Sequence, residues 1–220
     1  MGTLICIADV LIRQDAKGRF SLNDFHRACG GADKHQPANW LRLQQTKELV
    51  AELEREIPQI RGIATKQGTG TFVARELVFA YAMWVSPAFH LKVIRTFDRA
   101  TESAIDWRKQ RSRATSTTKV ANDILKMVRA EAGKETEGKH YMSEQKLVNW
   151  AVAGEFKGLD RDALSADDLA LLAYLEERNA VLIGRGTAYE QRKPMLSQYA
   201  KDWRMVRAMP ALAQQSAEAR

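Results

Sequence analysis

The stretch QIRGIATKQGTGTFVAR (residues 59–75) carries three basic residues and three glycines but no carboxylate. Apolar and polar residues alternate on both sides of QGTG (67–70), which is the pattern of a β-hairpin whose glycines permit positive φ at the tip. The stretch just before it, ELVAELERE (48–56), holds four glutamates. This separation of charge predicts a hairpin whose surface does not repel anions.

The first residues of the chain predict β-structure. Residues 4–13 form a β-like run, QDAKG (14–18) supplies a turn, and Arg19-Phe20 is expected to pair back on the first strand. The apolar run contains Asp9 and lacks a basic leading region, so it is interpreted as a strand and not as a signal peptide.

Two helices are expected between this region and the hairpin. Ser21, with Asp24 three positions later, has the capping-box spacing of a helix that ends at Gly30-Gly31. A second helix is predicted from Pro37 to Pro58, because proline suits the first helical position and interrupts a helix interior. Two helices joined by a short connection with glycine suggest a helix-turn-helix arrangement.

The segment after the hairpin predicts two more helices. ELVFAYAMWV (76–85) is apolar at helical spacing, and Ser86-Pro87 provides the cap and first residue of the next helix. We expect that helix to bury a stripe formed by Phe89, Val93, Ile94 and Phe97.

The second half of the chain has a different character. WRKQRSRATSTTK (107–119) is basic and poor in large apolar residues, and we interpret it as a linker or a solvated helix extension. Capping-box spacings at Ser165/Asp168 and Thr187/Glu190, a stop at Gly184 and Gly186, and a kink at Pro194 predict an all-α region. The expected organisation is an N-terminal domain (1–100), a basic linker or helix extension (101–118), a helical domain (119–207) and a flexible tail (208–220).

Composition limits the choice of partner. The 220-residue chain has a net charge of +7, so it attracts polyanions, with nucleic acid before an anionic membrane surface. Its two cysteines form no CxxC pair, which fits a reducing compartment. No run approaches the ~18 apolar residues of a membrane span, so a soluble cytoplasmic protein is expected.

Catalytic and metal-binding patterns are not found. The GTG at 68–70 lies between predicted strands and lacks the spacing of a dinucleotide or phosphate loop. His26, Cys29 and His35 have no fourth ligand at a suitable spacing, so no metal and no cofactor are expected. The sequence also contains no GxSxG, no HExxH and no nuclease-like carboxylate cluster. We therefore expect a protein that is not an enzyme.

Three acid-free basic segments, 34–47, 57–75 and 107–122, predict a surface for a phosphate backbone. The alternative is a set of ordinary solvated faces. Lys and Arg would neutralise phosphates, while Gln45 or Gln67 would read base edges. The predicted DNA-binding residues are Lys34, His35, Arg42, Gln45, Lys47, Arg61, Lys66, Gln67, Thr69 and Arg75, with linker phosphate contacts from Arg108, Lys109, Arg111 and Arg113.

GTFVARELVFAYAMWVSPAFHLKVIRTF (70–97) resembles the C-terminal half of the KilA-N domain of bacteriophages, prophages and large DNA viruses. Trp40-Leu41 and TKEL (46–49) look like the preceding helix of that family, and the resemblance covers residues 1–100. It implies an α+β DNA-binding fold related to fungal APSES transcription factors, with a helix pair and a β-hairpin wing. Ala74-Arg75 stands where the family often has His-Pro, and SLNDFHRAC (21–29) is only a loose match to its first helix.

The leading hypothesis is a phage or prophage regulator that binds double-stranded DNA through residues 1–100. The helical remainder would dimerise or contact a protein. The first alternative is an antirepressor that binds a repressor or another phage or host protein through the helical region. The second alternative is a nuclease with unrecognised active-site residues.

Overall fold

The computed structural model describes residues 5–57, 61–66 and 70–218, without the side chains of Lys66 and of residues 209–218. It divides into two compact units, residues 1–104 and 105–220, each with its own hydrophobic core. The first unit combines small sheets with helices, and the second is helical. The predicted α+β fold with a helical C-terminal region is confirmed.

The N-terminal β-run is a hairpin and not the single strand that we expected. Strand β1 (Ile5–Ile7) pairs antiparallel with β2 (Val10–Ile12), with Ile5 opposite Ile12. Ala8 and Asp9 form the turn with φ of 47° and 63°. A two-residue turn of this kind needs positive φ at both positions, and Ala-Asp is a weak sequence signal for it.

Strand β3 (Phe20–Ser21) joins a second sheet. Its antiparallel partner is β5 (Gly70–Val73), which also pairs with β4 (Ile63–Lys66), giving the order β3-β5-β4. The expected pairing of Arg19-Phe20 with the first strand is reduced to an isolated bridge between Gln14 and Phe20. The predicted hairpin within 59–75 is confirmed.

Helix α1 (Leu22–Ala28) begins as predicted, because the Ser21 hydroxyl accepts a hydrogen bond from the Asp24 N–H. A short 3-10 turn (Asp33–His35) follows it. The single helix expected from Pro37 to Pro58 is wrong, since α2 (Pro37–Leu41) and α3 (Gln44–Glu56) are separate.

The break between α2 and α3 lies at Leu43, whose φ of −64° and ψ of 140° are extended. It allows Trp40 to pack edge to face on Tyr81, 5.5 Å between ring centroids, while α3 buries Leu53 beside Gly62. No proline or glycine marks the break, so tertiary packing decides it.

Helices α4 (Arg75–Val85) and α5 (Pro87–Glu131) complete the first unit. The Ser86 hydroxyl accepts from the Phe89 N–H, which confirms the predicted restart. Phe89, Val93 and Phe97 are buried as expected, and Ile94 is half-buried. Phe97 packs edge to face on Phe20 at 5.0 Å, so this stripe of α5 covers the start of α1.

The second unit contains the rest of α5 with α6 (Gly138–Ala153), α7 (Ala166–Gly184) and α8 (Tyr189–Glu218). Residues 101–118, the predicted linker or helix extension, lie within α5. The cap at Ser165 is present, with its hydroxyl accepting from the Asp168 N–H. The expected cap at Thr187 is wrong by one residue: α8 begins at Tyr189, and the Ala188 carbonyl accepts its first backbone hydrogen bonds from Gln191 and Arg192. The helix continues through Pro194.

Two buried polar networks hold the second unit together. Glu176 accepts hydrogen bonds from Thr117, Thr118 and Arg161 at 2.6–2.9 Å. Burial raises the pKa of Glu176 despite these donors. A second network joins Arg192 to Glu144 and Asn179. Both networks link different helices, so they fix how α5, α6, α7 and α8 pack.

Candidate nucleic-acid interface

The β4–β5 hairpin is the first component of the interface. Lys66 lies opposite Gly70, so residues 67–69 connect the two strands. The predicted contacts Gln67 and Thr69, like the side chain of Lys66, lie outside the described residues. Arg61 precedes β4 with an exposed side chain, and its carbonyl accepts from the Arg19 guanidinium at 3.4 Å. The Arg61 guanidinium at the base of the hairpin therefore faces solvent.

Gly70 places the hairpin against α1. Its φ is +104°, and a Cβ built there would lie 2.6 Å from Asn23 Nδ2. The positive φ favours glycine, and any larger residue at position 70 would also displace the Asn23 side chain. The exposed Asn23 side chain of α1 therefore lies beside the first residue of β5.

The neighbouring residue, Asp24, is the centre of an arginine cluster. Its side chain is fully buried and accepts from Arg13 Nε at 2.8 Å, from Arg13 Nη2 at 2.9 Å and from Arg27 Nη2 at 2.6 Å. The Arg13 backbone N–H adds a bond of 3.0 Å. The two arginine side chains remain 48% and 64% exposed.

The cluster of Arg13, Asp24 and Arg27 carries a net positive charge. Burial opposes ionisation of Asp24, but the hydrogen bonds from Arg13 and Arg27 outweigh it and hold the pKa of the carboxyl at about 2. Two guanidinium groups against one carboxylate leave one net positive charge at neutral pH. The hydrogen bonds to Asp24 fix the direction of both arginine side chains. Their N–H groups that do not bond Asp24 can therefore bind an anion from solvent without further ordering.

The predicted contacts before α2 divide into an exposed residue and a packed one. Lys34 is exposed in the 3-10 turn. His35 is half-buried: its ring lies 5.8 Å from Trp84, and its carbonyl accepts from the Tyr81 hydroxyl at 2.5 Å. These contacts give His35 a packing role on α4.

Arg42, Gln45 and Lys47 are all exposed around the start of α3. The recorded contact between α3 and the hairpin region lies at the opposite end of the helix. There the Glu54 carboxylate accepts from the Gly62 N–H at 3.0 Å. The described contacts therefore do not bring these three residues together with the hairpin, and one glutamate of the acidic stretch supports the base of the hairpin.

Arg75 begins α4 with an exposed side chain that lies over two aromatic rings. Its guanidinium carbon is 5.4 Å from the centroid of Phe79 and 5.3 Å from that of Phe97. This cation–π packing fixes the direction of the side chain.

The four predicted linker contacts fall on α5 and differ in availability. Arg111 pairs with Asp162 at 2.8 Å, and Arg113 pairs with Glu177 at 3.0 Å. Arg108 and Lys109 are exposed and have no ion pair recorded among the described residues. The acid-free sequence is thus not an acid-free surface, because α7 and the loop before it supply carboxylates.

Sequence reasoning missed Asn23, Arg13 and Arg27. The only signal was Asp24 at the third helical position, which was interpreted as part of a helix cap. A buried aspartate in the first turn needs more donors than one helix end offers, and arginines 11 residues before and 3 residues after it supply them.

Within residues 5–57, 61–66 and 70–218, no group of three His, Cys, Asp or Glu side chains is arranged to hold a metal ion. No helix in the part of the chain that the structure describes is both long and apolar enough to cross a bilayer.

A short sheet with a β-hairpin, packed with helices and flanked by the exposed arginines of the Asp24 cluster, forms a small α+β domain. Residues 4–103 match the KilA-N domain family. The chain is also 45% identical over 96 residues to Protein kilA of Escherichia phage P1. The match spans 43% of this chain and 36% of that relative, little more than a third of its length.

Proposed function

We propose that the KilA-N domain of this chain binds duplex DNA through the β4–β5 hairpin and the adjoining surface of α1. The observation that carries the proposal is the pair of exposed guanidinium groups, Arg13 and Arg27, held by Asp24. The adjacent residue, Asn23, touches the hairpin at Gly70. Arg27 and the residue that contacts the hairpin thus lie on the same short helix, and Arg13 is joined to that helix through Asp24.

Arginine suits this role because its planar donors match phosphate oxygens, and a side chain that is already oriented loses less entropy on binding. Arg61 and Lys66 would add phosphate contacts along the hairpin. Asn23 and Gln67 carry amides that can pair with adenine edges in the major groove. The cations would set affinity and position, and the amides would set sequence preference.

We further propose that this binding regulates phage or prophage genes. The net charge of +7 favours rapid encounter with DNA, and hairpin contacts would then retain the protein at particular sites.

Fluorescence anisotropy of labelled duplex DNA at several salt concentrations tests the proposal with the full chain. Replacing Arg61 and Lys66 by Ala should weaken binding and flatten the slope of log K against log salt by about 1.8, or about 0.9 per lost phosphate contact. Arg27→Ala should flatten it by a further ~0.9, while Arg13 keeps Asp24 paired.

Arg55→Ala is the matched control. Arg55 is an exposed arginine of the same unit that pairs with Glu52 on α3. If Arg55→Ala flattens the slope of log K against log salt as much as Arg27→Ala does, the loss of affinity reflects the total charge of the chain and not a contact made by Arg27. Unchanged affinity and slope in the hairpin double variant would remove the hairpin from the interface.

A further inference from the structure

A groove in the second unit lies between the end of α6 and one face of α8. Two adjoining cavities of about 370 and 440 Å³ share Trp150, Ser197 and Lys201 as lining residues. Each has the volume of a site for a small ligand or a short chain segment. The groove lies outside residues 4–103, so an inference about its ligand does not rest on the proposed DNA binding.

The lining of the groove is cationic. Lys193, Lys201 and Arg204 lie on it, and none of its described lining residues is acidic. Positions 193, 197, 201 and 204 follow helical spacing, so α8 presents these cations with Ser197 as one stripe. The nearby carboxylates have other partners, since Glu155 pairs with Lys157 and Asp202 accepts from Gln198.

An aromatic pair supports one side of the groove. Trp150 stacks on Phe156 with ring centroids 5.2 Å apart, and Lys193 Nζ lies 4.9 Å from the Trp150 centroid. The ammonium group is thereby held at the mouth of an apolar wall that also includes Ala151 and Pro194. An anionic ligand with apolar groups fits this combination of charge and surface.

The end of α6 distinguishes between two kinds of anion. Its last turn, residues 151–154, lines the groove and presents carbonyl oxygens at the negative end of the helix dipole. Val152 O accepts from Arg204 at 2.6 Å, and the carbonyls of Ala151 and Ala153 have no partner among the hydrogen bonds of the described residues. A phosphate backbone brings acceptors only and is disfavoured there, whereas a peptide brings N–H donors as well as carboxylates.

We propose that this groove binds an acidic, extended peptide segment of a partner protein. Carboxylates of the segment pair with Lys193, Lys201 and Arg204, and its backbone N–H groups bond the carbonyl oxygens at the end of α6. Its apolar side chains pack on Trp150. The chain then joins a protein contact in one unit to the KilA-N domain in the other.

Titration of the full chain with a nine-residue peptide of alternating Glu and Ala, followed by NMR at the Trp150 indole, tests this assignment. We expect saturable binding with a Kd below about 1 mM at low salt. The Gln–Ala peptide of the same length should not bind. Lys201→Glu should weaken binding of the acidic peptide by about tenfold, since it places a like charge against the ligand.

Lys126→Glu is the matched control, because Lys126 is exposed in the same unit and does not line the groove. It should leave the Kd for the peptide unchanged, and circular dichroism should show both variants folded. The proposal is overturned if the acidic peptide does not bind, if Lys126→Glu weakens it as much as Lys201→Glu, or if a nine-nucleotide oligothymidylate displaces it at equal concentration. Because the readout contains no duplex DNA, failure here leaves the proposed DNA binding standing.

Discussion

At the scale of single residues, Asp24 links folding to the proposed interface. Its buried carboxylate ties β2 to α1 through Arg13 and orients Arg27 one turn along the helix. The adjacent Ser21 hydroxyl caps the same helix. One side chain therefore organises both the start of α1 and the two exposed cations, and its substitution affects stability and DNA affinity together.

Asp24→Asn should lower the free energy of unfolding by about 2 kcal/mol at neutral pH, the equivalent of holding a carboxyl pKa at about 2 instead of its ordinary 3.8. The folded pKa is depressed, so this stability is complete above about pH 4 and is lost as the pH falls towards 2. Urea unfolding at several pH values should show that the variant lacks this loss.

Glu52→Gln provides the comparison. Glu52 pairs with Arg55 on the surface of α3, where an exposed ion pair contributes less than about 1 kcal/mol. If Glu52→Gln is as destabilising as Asp24→Asn, or if the wild type and Asp24→Asn have parallel pH profiles below pH 4, the central role of Asp24 is wrong.

At the scale of elements, contacts with two helices position the hairpin. Gly70 begins β5 at a φ of +104° and touches Asn23 of α1, while Glu54 of α3 holds the Gly62 N–H at the start of β4. The two strands are thus fixed by different helices, at the base of the hairpin through Gly62 and near its tip through Gly70.

Gly70→Ala should destabilise the first unit by about 1–3 kcal/mol, because alanine is strained at this φ and its Cβ meets Asn23. Adding Asn23→Ala to Gly70→Ala should recover the stability lost to the contact with Asn23, but not the stability lost to the positive φ. Gly138→Ala is the control, since a Cβ there meets nothing within 4 Å. Chemical unfolding of the wild type and these three variants measures the differences, and equal stability of Gly70→Ala and Gly138→Ala would contradict the strain assigned to position 70.

Sequence patterns predicted the elements that local chemistry determines. The alternation at 63–73, the Ser21 and Ser165 caps and the Ser86-Pro87 restart all depend on neighbouring residues, and all are present. The turn at Ala8-Asp9 has a weak local signal and the break at Leu43 depends on distant packing, and both were missed. In the candidate site, exposed cations such as Arg61 were recognisable, but the partners of Arg111 and Arg113 are more than 50 residues away.

At the scale of the whole molecule, the chain has two separate hydrophobic cores. Leu77 is fully buried in the first and Leu172 in the second. The KilA-N match ends at residue 103, next to the boundary between the two units after residue 104. The family comparison and the packing therefore separate the chain at nearly the same residue.

Leu77→Ala and Leu172→Ala should each cost about 2–5 kcal/mol, and each should act within its own core. Hydrogen exchange measured by mass spectrometry should show faster exchange in residues 63–85 for the first variant and in residues 138–200 for the second. If either variant speeds exchange equally in both regions, the two cores unfold as one cooperative unit.

Helix α5 runs from Pro87 to Glu131 and passes through the boundary between the two units. Its backbone bonds only to itself, so any helix-forming sequence in register can continue it without disturbing Phe89, Val93 and Phe97. Genetic exchange within the codons for α5 can therefore join an intact first unit to a different second unit. No new connecting loop is needed. A similarity to Protein kilA that extends over only 96 residues is the pattern that such an exchange would leave.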